Sequence, residues 1–487
     1  MKSNNINHKI MTATKWSTLS QITTKLMLPI SNMILARILD PSVFGTVALI
    51  TMVISFADMI ADAGFHKYIV QHEFNDIVEV DITFNVAFYT SLFLGGILYI
   101  AIAIFSKVII DSTNSSLPFY MLIISAIQIP LSTLSSTHIA ILKRELNFKK
   151  LFRINFASTF VNVSITVFTA IIGMGIWALI LGPISASISV CVLTYLTAKW
   201  KPSVKYSFQS LIKMMSFSIF SLAESISIWL TVWIDIIIIT ASFNAYYLGL
   251  YKNSLSMVNN LMAIITSSIA PVLFSALSRT QNDPINFKNI FLTIQKITAY
   301  FVFPIGIGLF LFRDLATLIL FGDKWIEASL VVGTWALSSS MVIVFSHLNG
   351  EVLRAKGRPG ISLIVQVTHI MVVIPTLILA SHHDFTTVVI FRSIIRLEYI
   401  LGSVVATGLI SNISISDTLR NIVKPTIFTL SMSIIVVILK NLVFGFFYQF
   451  AIILVAALAY FIMIFIFAKE DLKIFSMIAK GSGNDEI

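Results

Sequence analysis

The chain has 487 residues, of which 57% are hydrophobic and only 11% are charged, and its mean hydropathy is +0.91. Soluble domains carry about 25% charged residues, so this composition excludes a soluble globular protein. The formal net charge is +10, but the positions of the basic residues argue against a nucleic-acid-binding protein. The class that remains is an all-α, polytopic membrane protein with the lipid bilayer as its surroundings.

About fourteen apolar runs follow one another along the chain, each close to the ~20 residues that a helix needs to cross a bilayer. Each run is predicted to be helical, because a spanning backbone must satisfy its own hydrogen bonds in lipid. The predicted spans are 16–37, 43–61, 82–106, 118–142, 154–172, 176–198, 211–239, 249–277, 290–312, 326–350, 361–380, 385–408, 420–440 and 447–468.

Lysine and arginine in short loops set the orientation of a membrane protein. With the N-terminus inside, 22 of the 33 basic residues fall on the inner side and five on the outer side. The excess predicts that both termini are cytoplasmic, and it explains the basic charge without a nucleic acid. The sequence shows no phosphate-binding GxxxxGK[ST] loop, and neither a metal site nor a cofactor is predicted.

Several predicted spans carry polar side chains along one helical face. Lys25 lies about ten residues into the first span, Asn155 and Asn162 share a face of the fifth, and Lys252 and Asn260 belong to the eighth. A charge deep in a span costs at least ~2.5 kcal/mol and usually faces a wet interior. Together these faces predict a hydrophilic central cavity, although each single stripe could instead join helices through hydrogen bonds.

The twelfth span places Arg392 and Arg396 four residues apart, so that they lie on one face of a helix. In the seventh span, Glu224 and Asp235 are eleven residues apart, which is close to three helical turns. Structural ion pairs of the arginines with Glu224 or Glu398 are an open alternative. His369 is isolated in the sequence, and a lone histidine is more often packed or hydrogen-bonded than a proton relay.

A weak internal repeat relates the two halves of the chain. ILARILDPSVFG (34–45) aligns with residues 238–249 at an offset of about 204, which corresponds to six spans. Because an even number of spans separates them, the repeats are predicted to be parallel, about an axis along the membrane normal. The predicted organisation is an N-lobe at 1–198, a C-lobe at 199–408, and two extra helices with a cytoplasmic tail at 409–487.

Several segments resemble the polysaccharide transporter family, which includes the Wzx-type flippases of the multidrug/oligosaccharidyl-lipid/polysaccharide exporter superfamily. The resemblance covers roughly residues 10–410 and is strongest to the WzxC-like branch. The segments that carry it are LARILDPSVFGTVALITMVISFADMIADAGFHKYIVQ (35–71), GMGIWALILG (173–182), YYLGLYKNS (246–254), AYFVFPIGIGLF (299–310), FGDKWIEA (321–328) and LRAKGRP (353–359).

The resemblance implies two six-helix lobes around a cavity that opens alternately to each side of a bacterial inner membrane. It also implies a substrate, a polyprenyl-pyrophosphate-linked oligosaccharide of an O-antigen, capsule or exopolysaccharide, and partners among polysaccharide polymerase and assembly proteins. Arg392 and Arg396, with Lys25 and Lys252, are then predicted to receive the diphosphate, because arginine suits phosphate through its bidentate fork. Asn155, Asn162 and Asn260 would hydrate the glycan.

Without an ATPase, turnover is expected to use a proton or sodium gradient, with Glu224 and Asp235 as the predicted coupling residues. Two other functions stay open. A multidrug exporter of the same superfamily would share the fold, but its cationic drugs would favour an acidic and aromatic lining. A membrane polymerase or ligase would need catalytic residues near the outer face, and the short outer loops argue against that enzyme.

Overall fold

The computed structural model of the chain describes residues 2–74, 76–111, 113, 117–443 and 445–471. Every regular element in these ranges is a helix, which confirms the predicted all-α class. The chain divides into two compact units, Met1–Asn253 (unit 1) and Ser254–Ile487 (unit 2). The lobe boundaries predicted from the sequence stay a prediction, and residues 472–487 of the predicted tail lie outside the described part of the chain.

In its described residues, unit 1 contains nine complete helices and the first part of a tenth, which continues into unit 2. Apolar side chains of the second, fourth, fifth and eighth helices form one of its buried clusters, around Leu122 and Ile180. The helices are α1 Lys2–Ile38, α2 Pro41–Asp62, α3 Phe65–Gln71, α4 Ile77–Asp111, α5 Phe119–Ala126, α6 Gln128–Arg144, α7 Phe148–Ile171, α8 Ile176–Thr197, α9 Phe208–Ser242 and α10 Ala245–Arg279.

Helices α2 and α10 cross at two glycines that the internal repeat aligns. A Cβ on Gly45 would overlap the carbonyl oxygen of Ala245, and a Cβ on Gly249 would overlap that of Pro41. The repeat offset of 204 relates these contacts to each other, so the crossing is reciprocal, as at a two-fold axis. Only glycine permits so close a backbone approach, and this geometry supports the parallel repeat.

Unit 2 contains a long element that changes its helical type three times between Asp323 and Ala355. It starts as a 3₁₀-helix, becomes α-helical, and passes through a π-helical turn at Ile343–His347. The elements of unit 2 are α11 Pro284–Leu311, α12 Arg313–Phe321, the 3₁₀-helix Asp323–Ala328, α13 Ser329–Val342, the π-helix Ile343–His347, α14 Leu348–Ala355, α15 Pro359–Ser381, α16 Phe385–Ile410, α17 Ile415–Asn421, α18 Val423–Leu442 and α19 Phe446–Phe467.

The last two long helices, α18 and α19, are held against α11. The hydroxyl of Tyr460 donates a hydrogen bond to the backbone oxygen of Tyr300 at 2.7 Å. Beyond the end of α19, the carboxylate of Asp471 accepts from Lys296 at 3.2 Å and from Tyr300 at 2.9 Å. These contacts fix the C-terminal pair of helices that the sequence predicts as an addition to the repeats.

Twelve helices within the described ranges are long and apolar enough to cross a membrane, and the molecule is a multi-pass membrane protein. The predicted number of fourteen is not confirmed. Two further helices, α1 with 37 residues and α16 with 26, are long but fall outside this set. They contain Lys25 and the pair Arg392 and Arg396, which belong to the predicted substrate site.

Candidate functional site

The two arginines of α16 lie beside one indole ring of α13. The guanidinium carbon of Arg396 is 3.9 Å from the ring centroid of Trp335, and that of Arg392 is 5.4 Å away. The ring is 7% exposed, and its Nε1 donates to the side-chain oxygen of Asn259 at 2.9 Å. A cation over a desolvated tryptophan is worth about 2 kcal/mol, so Trp335 stabilises the positive charge and fixes its position.

Two serine hydroxyls fix the orientation of Arg396. Nη1 of Arg396 donates to Oγ of Ser338 at 3.0 Å and to Oγ of Ser339 at 2.8 Å. Both serines follow Trp335 on α13, where small side chains leave room for the guanidinium group. These bonds orient the guanidinium group beside the ring.

Arg392 contacts His369, which in turn contacts the carboxylate group of Glu398. Nη1 of Arg392 is 3.5 Å from Nε2 of His369, and Nδ1 of His369 is 2.9 Å from Oε2 of Glu398. Arg392 and His369 are each 5% exposed. His369 is thus buried and hydrogen-bonded. We call these neighbouring residues the arginine cluster: Trp335, His369, Arg392, Arg396 and Glu398.

The predicted coupling carboxylates of unit 1 have very different surroundings. Glu224 accepts from Nζ of Lys67 at 2.9 Å, and its side chain is 56% exposed. Asp235 is 3% exposed and accepts from the hydroxyl of Tyr251 at 2.8 Å. Both belong to α9, but one is a solvated ion pair and the other a buried acceptor. Their role in coupling stays a prediction.

Lys252 lies next to this buried carboxylate. Its Nζ is 3.9 Å from the ring centroid of Trp233, and Asp235 contributes a favourable charge interaction. The aromatic ring and the carboxylate together stabilise a cation at the start of α10. Lys25, the other predicted lysine, is half-buried on α1.

The polar stripe of α7 lies in helix–helix interfaces. Asn155 donates from Nδ2 to Oγ of Ser20 on α1 at 3.3 Å. Oδ1 of Asn162 accepts from Oγ1 of Thr166 at 3.2 Å. A Cβ on Gly182 of α8 would overlap Thr166 and would lie 2.7 Å from Asn162. This stripe therefore joins α7 to its neighbours, in agreement with the simpler of the two interpretations of a polar face.

Asn260 lies on α10, half-buried, next to the residue that meets the arginine cluster. The contact to Trp335 comes from Asn259, which does not belong to the predicted polar face. Trp335, Ser338 and Ser339 were also missed. Their signal in the sequence is a tryptophan followed closely by three serines, within WALSSS (335–340) of an apolar span.

The fold defines the class of protein. The structure is similar to the lipid II flippase MurJ in an inward closed conformation, with a TM-score of 0.72 at 14% sequence identity. The similarity covers 94% of this chain and 99% of that chain. The molecule therefore shares the fold of that protein.

Sequence comparison identifies the family within this class. The family model described as polysaccharide biosynthesis protein matches residues 34–330, and this chain belongs to that family. The succinoglycan biosynthesis transport protein ExoT of Rhizobium meliloti is 25% identical over 67% of this chain and 65% of its own length. The lipopolysaccharide biosynthesis protein WzxC of Escherichia coli is 22% identical over 77% and 76%, respectively. The family prediction made from the sequence is thus confirmed.

Proposed function

We propose that this protein flips a polyprenyl-pyrophosphate-linked oligosaccharide from the inner to the outer leaflet of a bacterial cytoplasmic membrane, with both termini in the cytoplasm. The family, the flippase fold and relatives named for polysaccharide biosynthesis and transport support this function. The cargo is a repeat unit of an O-antigen, capsule or exopolysaccharide. Proteins that polymerise or assemble these units are the proposed partners.

The arginine cluster is the proposed receptor for the diphosphate. Arg396 lies on Trp335 and is oriented by two hydroxyls, while Arg392 is buried one helical turn away. Two guanidinium groups on one ring form a dense positive charge at low dielectric, and each presents a fork that fits phosphate oxygens. This juxtaposition is the observation that carries the proposal, because the negative charge and the oxygens of a diphosphate match two adjacent guanidinium groups.

The remaining predicted contacts come from unit 1 and the start of unit 2. Lys25 and Lys252 are proposed to add point charges for the diphosphate, and Asn155, Asn162 and Asn260 to hydrate the glycan. The contacts of Asn162 with Thr166 and Gly182 indicate that it has mainly a packing role. The polyprenyl tail stays in the bilayer, since moving it through a polar path would expose its apolar surface to water.

Turnover is proposed to draw on a proton or sodium gradient through Glu224 or Asp235. Glu224→Gln removes the ion pair with Lys67, and Asp235→Asn keeps an acceptor for Tyr251 without the charge. If either carboxylate couples the ion, its variant loses the dependence of export on that ion. Export with unchanged ion dependence in both variants would remove these residues from the coupling step.

A multidrug exporter is the second candidate function, since the superfamily includes such proteins. The arginine cluster favours an anionic substrate, because its two adjacent guanidinium groups repel a cationic drug. A cationic drug whose efflux rises with expression of this chain, and does not depend on the arginines, would support that function instead.

The proposed function is tested by export in cells that carry Arg392→Ala/Arg396→Ala. We expect lipid-linked repeat units to accumulate on the inner leaflet and surface polysaccharide to disappear, with normal amounts of protein in the membrane. The matched control is Arg279→Ala/Arg420→Ala, which removes two exposed arginines from the same chain. Normal surface polysaccharide in the first variant would show that the cluster has a structural role or that the substrate is of another kind.

A further inference from the structure

A histidine stands between Arg392 and a carboxylate inside unit 2. The imidazole of His369 on α15 has Nε2 at 3.5 Å from Nη1 of Arg392 and Nδ1 at 2.9 Å from Oε2 of Glu398. His369 and Arg392 are buried, while Glu398 is half-buried. The ring of Tyr399 lies 5.0 Å from the imidazole ring and limits its rotation.

These contacts fix the protonation state of the imidazole in this structure. A guanidinium group has donors only, so Nε2 of His369 must accept from Arg392. A neutral imidazole with its lone pair on Nε2 carries its hydrogen on Nδ1, which then donates to Glu398. The contact between Arg392 and His369 therefore exists only while the imidazole is neutral.

The charged side chains around His369 come from α16 and α14, the two helices that pack against α15. Both arginines of α16 oppose a positive charge on the imidazole, whereas the carboxylate of the same helix favours it through the hydrogen bond to Nδ1. On α14 the two charged residues pair with each other at 3.1 Å. The titratable and charged side chains of α16 and α14 are Arg392, Arg396, Glu398 and Tyr399, and Glu351 and Arg354.

We infer that His369 takes up a proton when a diphosphate binds to Arg392, so that substrate binding is linked to protonation. The inference rests on the proposed function. A proton from water forms an N–H bond at Nε2, the hydrogen bond from Arg392 breaks, and its N–H group turns to a phosphate oxygen. The imidazolium keeps its Nδ1–H bond to Glu398 and adds a positive charge beside the anion. Proton and diphosphate then favour each other by the same factor.

The test uses the full-length protein in nanodiscs and farnesyl pyrophosphate as the probe. The Kd is measured by calorimetry from about pH 5.5 to about pH 8, the range in which histidine changes its charge. The wild type is compared with His369→Gln, and His383→Gln, an exposed loop histidine, is the matched control. Titration of the probe itself is common to all three proteins, so it cancels when their pH profiles are compared.

We expect the ratio of Kd at the alkaline end to Kd at the acidic end to be several-fold larger in wild type and His383→Gln than in His369→Gln. Calorimetry in buffers of different ionisation enthalpy should show more protons taken up per binding event in wild type than in His369→Gln. Glu398→Gln, which keeps the shape but removes the charge that compensates the imidazolium, should reduce the ratio as well.

An equal ratio in wild type and His369→Gln would overturn the inference. If binding in that case is still lost in Arg392→Ala/Arg396→Ala, only the proton linkage fails and the diphosphate site stands. If the probe does not bind, or binds equally well without the two arginines, the diphosphate site of the proposed function fails and the inference fails with it.

Discussion

Two helices with polar stripes, α7 of unit 1 and α16 of unit 2, look alike in sequence and differ in structure. On α7, Asn162 and Thr166 bond to each other and lie against Gly182 of α8. On α16, Arg392 and Arg396 lie beside an indole ring and contact His369 and two serine hydroxyls, respectively. The first stripe closes a helix–helix interface, whereas the second holds positive charge in place. Helical spacing therefore predicts a polar face, and the partners of that face decide its role.

The largest effect is expected from Trp335→Ala, which removes the ring that both arginines share. Truncating a buried aromatic residue costs about 3–5 kcal/mol of stability, and the guanidinium groups also lose their common position. We expect lower thermal stability in detergent and a loss of export beyond the loss of protein. Trp335→Phe keeps a ring and removes only the Nε1 bond to Asn259, so it should recover most of both properties. Normal export by Trp335→Ala would remove the ring from the site.

The next effect is expected from Ser338→Ala/Ser339→Ala, which removes both hydroxyl acceptors of Arg396. Hydrogen bonds to charged groups are worth about 1.5–3 kcal/mol, so export per folded molecule should fall by about tenfold. Thr166→Ala on α7, which removes the hydrogen bond to Asn162, is the comparison, with a cost of about 0.6 kcal/mol of stability and no change in export per molecule. Equal export by the two variants would contradict the distinction between the stripes.

Gly182→Ala should affect stability alone. The added Cβ overlaps Thr166 and forces α7 and α8 apart, and such overpacking costs about 1–3 kcal/mol. Removing the obstructing hydroxyl in the double variant Gly182→Ala/Thr166→Ala should restore part of the lost stability, because residues in contact are not additive. Thermal unfolding of the three proteins measures this. A double variant no more stable than Gly182→Ala would show that the α7 stripe is not packed as described.

The smallest effect concerns a partly exposed charge pair between the start of α11 and the short helix α17. The Lys288 amino group donates to Asp417 at 2.6 Å and, with Ser414, lowers the pKa of that carboxyl group from its usual 3.8 to about 2. The pair therefore adds stability above about pH 4, and this is lost as the pH falls toward 2. Solvent screening limits the gain to on the order of 0.5 kcal/mol.

This prediction is checked by unfolding wild type and Asp417→Asn across that pH range. The stabilities should differ slightly at neutral pH and converge at the acidic end. A difference that grows as the pH falls would have the wrong sign and would contradict the assignment of the low pKa to the ion pair.

The class, the family and the charged span could be predicted from the sequence, because lipid imposes long apolar helices and makes a buried arginine conspicuous. The neighbours of Arg392 and Arg396 could not. Trp335 lies 61 positions before Arg396 in the sequence, and His369 lies 23 positions before Arg392. Helical periodicity gives the face of one helix, but the helix that packs against this face is set by tertiary structure.

The prediction of Glu224 as a coupling residue meets the same limit of helical periodicity. Its spacing from Asp235 places both on one face of α9, yet the structure pairs Glu224 with Lys67 of α3 and leaves it largely exposed. Burial varies along a single face, because the depth at which neighbouring helices meet it differs from turn to turn. The reciprocal crossing at Gly45 and Gly249 is the opposite case, in which a weak sequence repeat marks an actual contact.

The central claim, that the arginines of α16 receive the transported diphosphate, is tested most directly by flipping in proteoliposomes. Wild type and Arg392→Ala/Arg396→Ala are reconstituted with a fluorescent polyprenyl-pyrophosphate-linked oligosaccharide, and the fraction accessible to a membrane-impermeant quencher is followed over time. We predict protein-dependent flipping by the wild type and a rate at the level of empty liposomes for the variant. Flipping at the wild-type rate by the folded variant would contradict the claim.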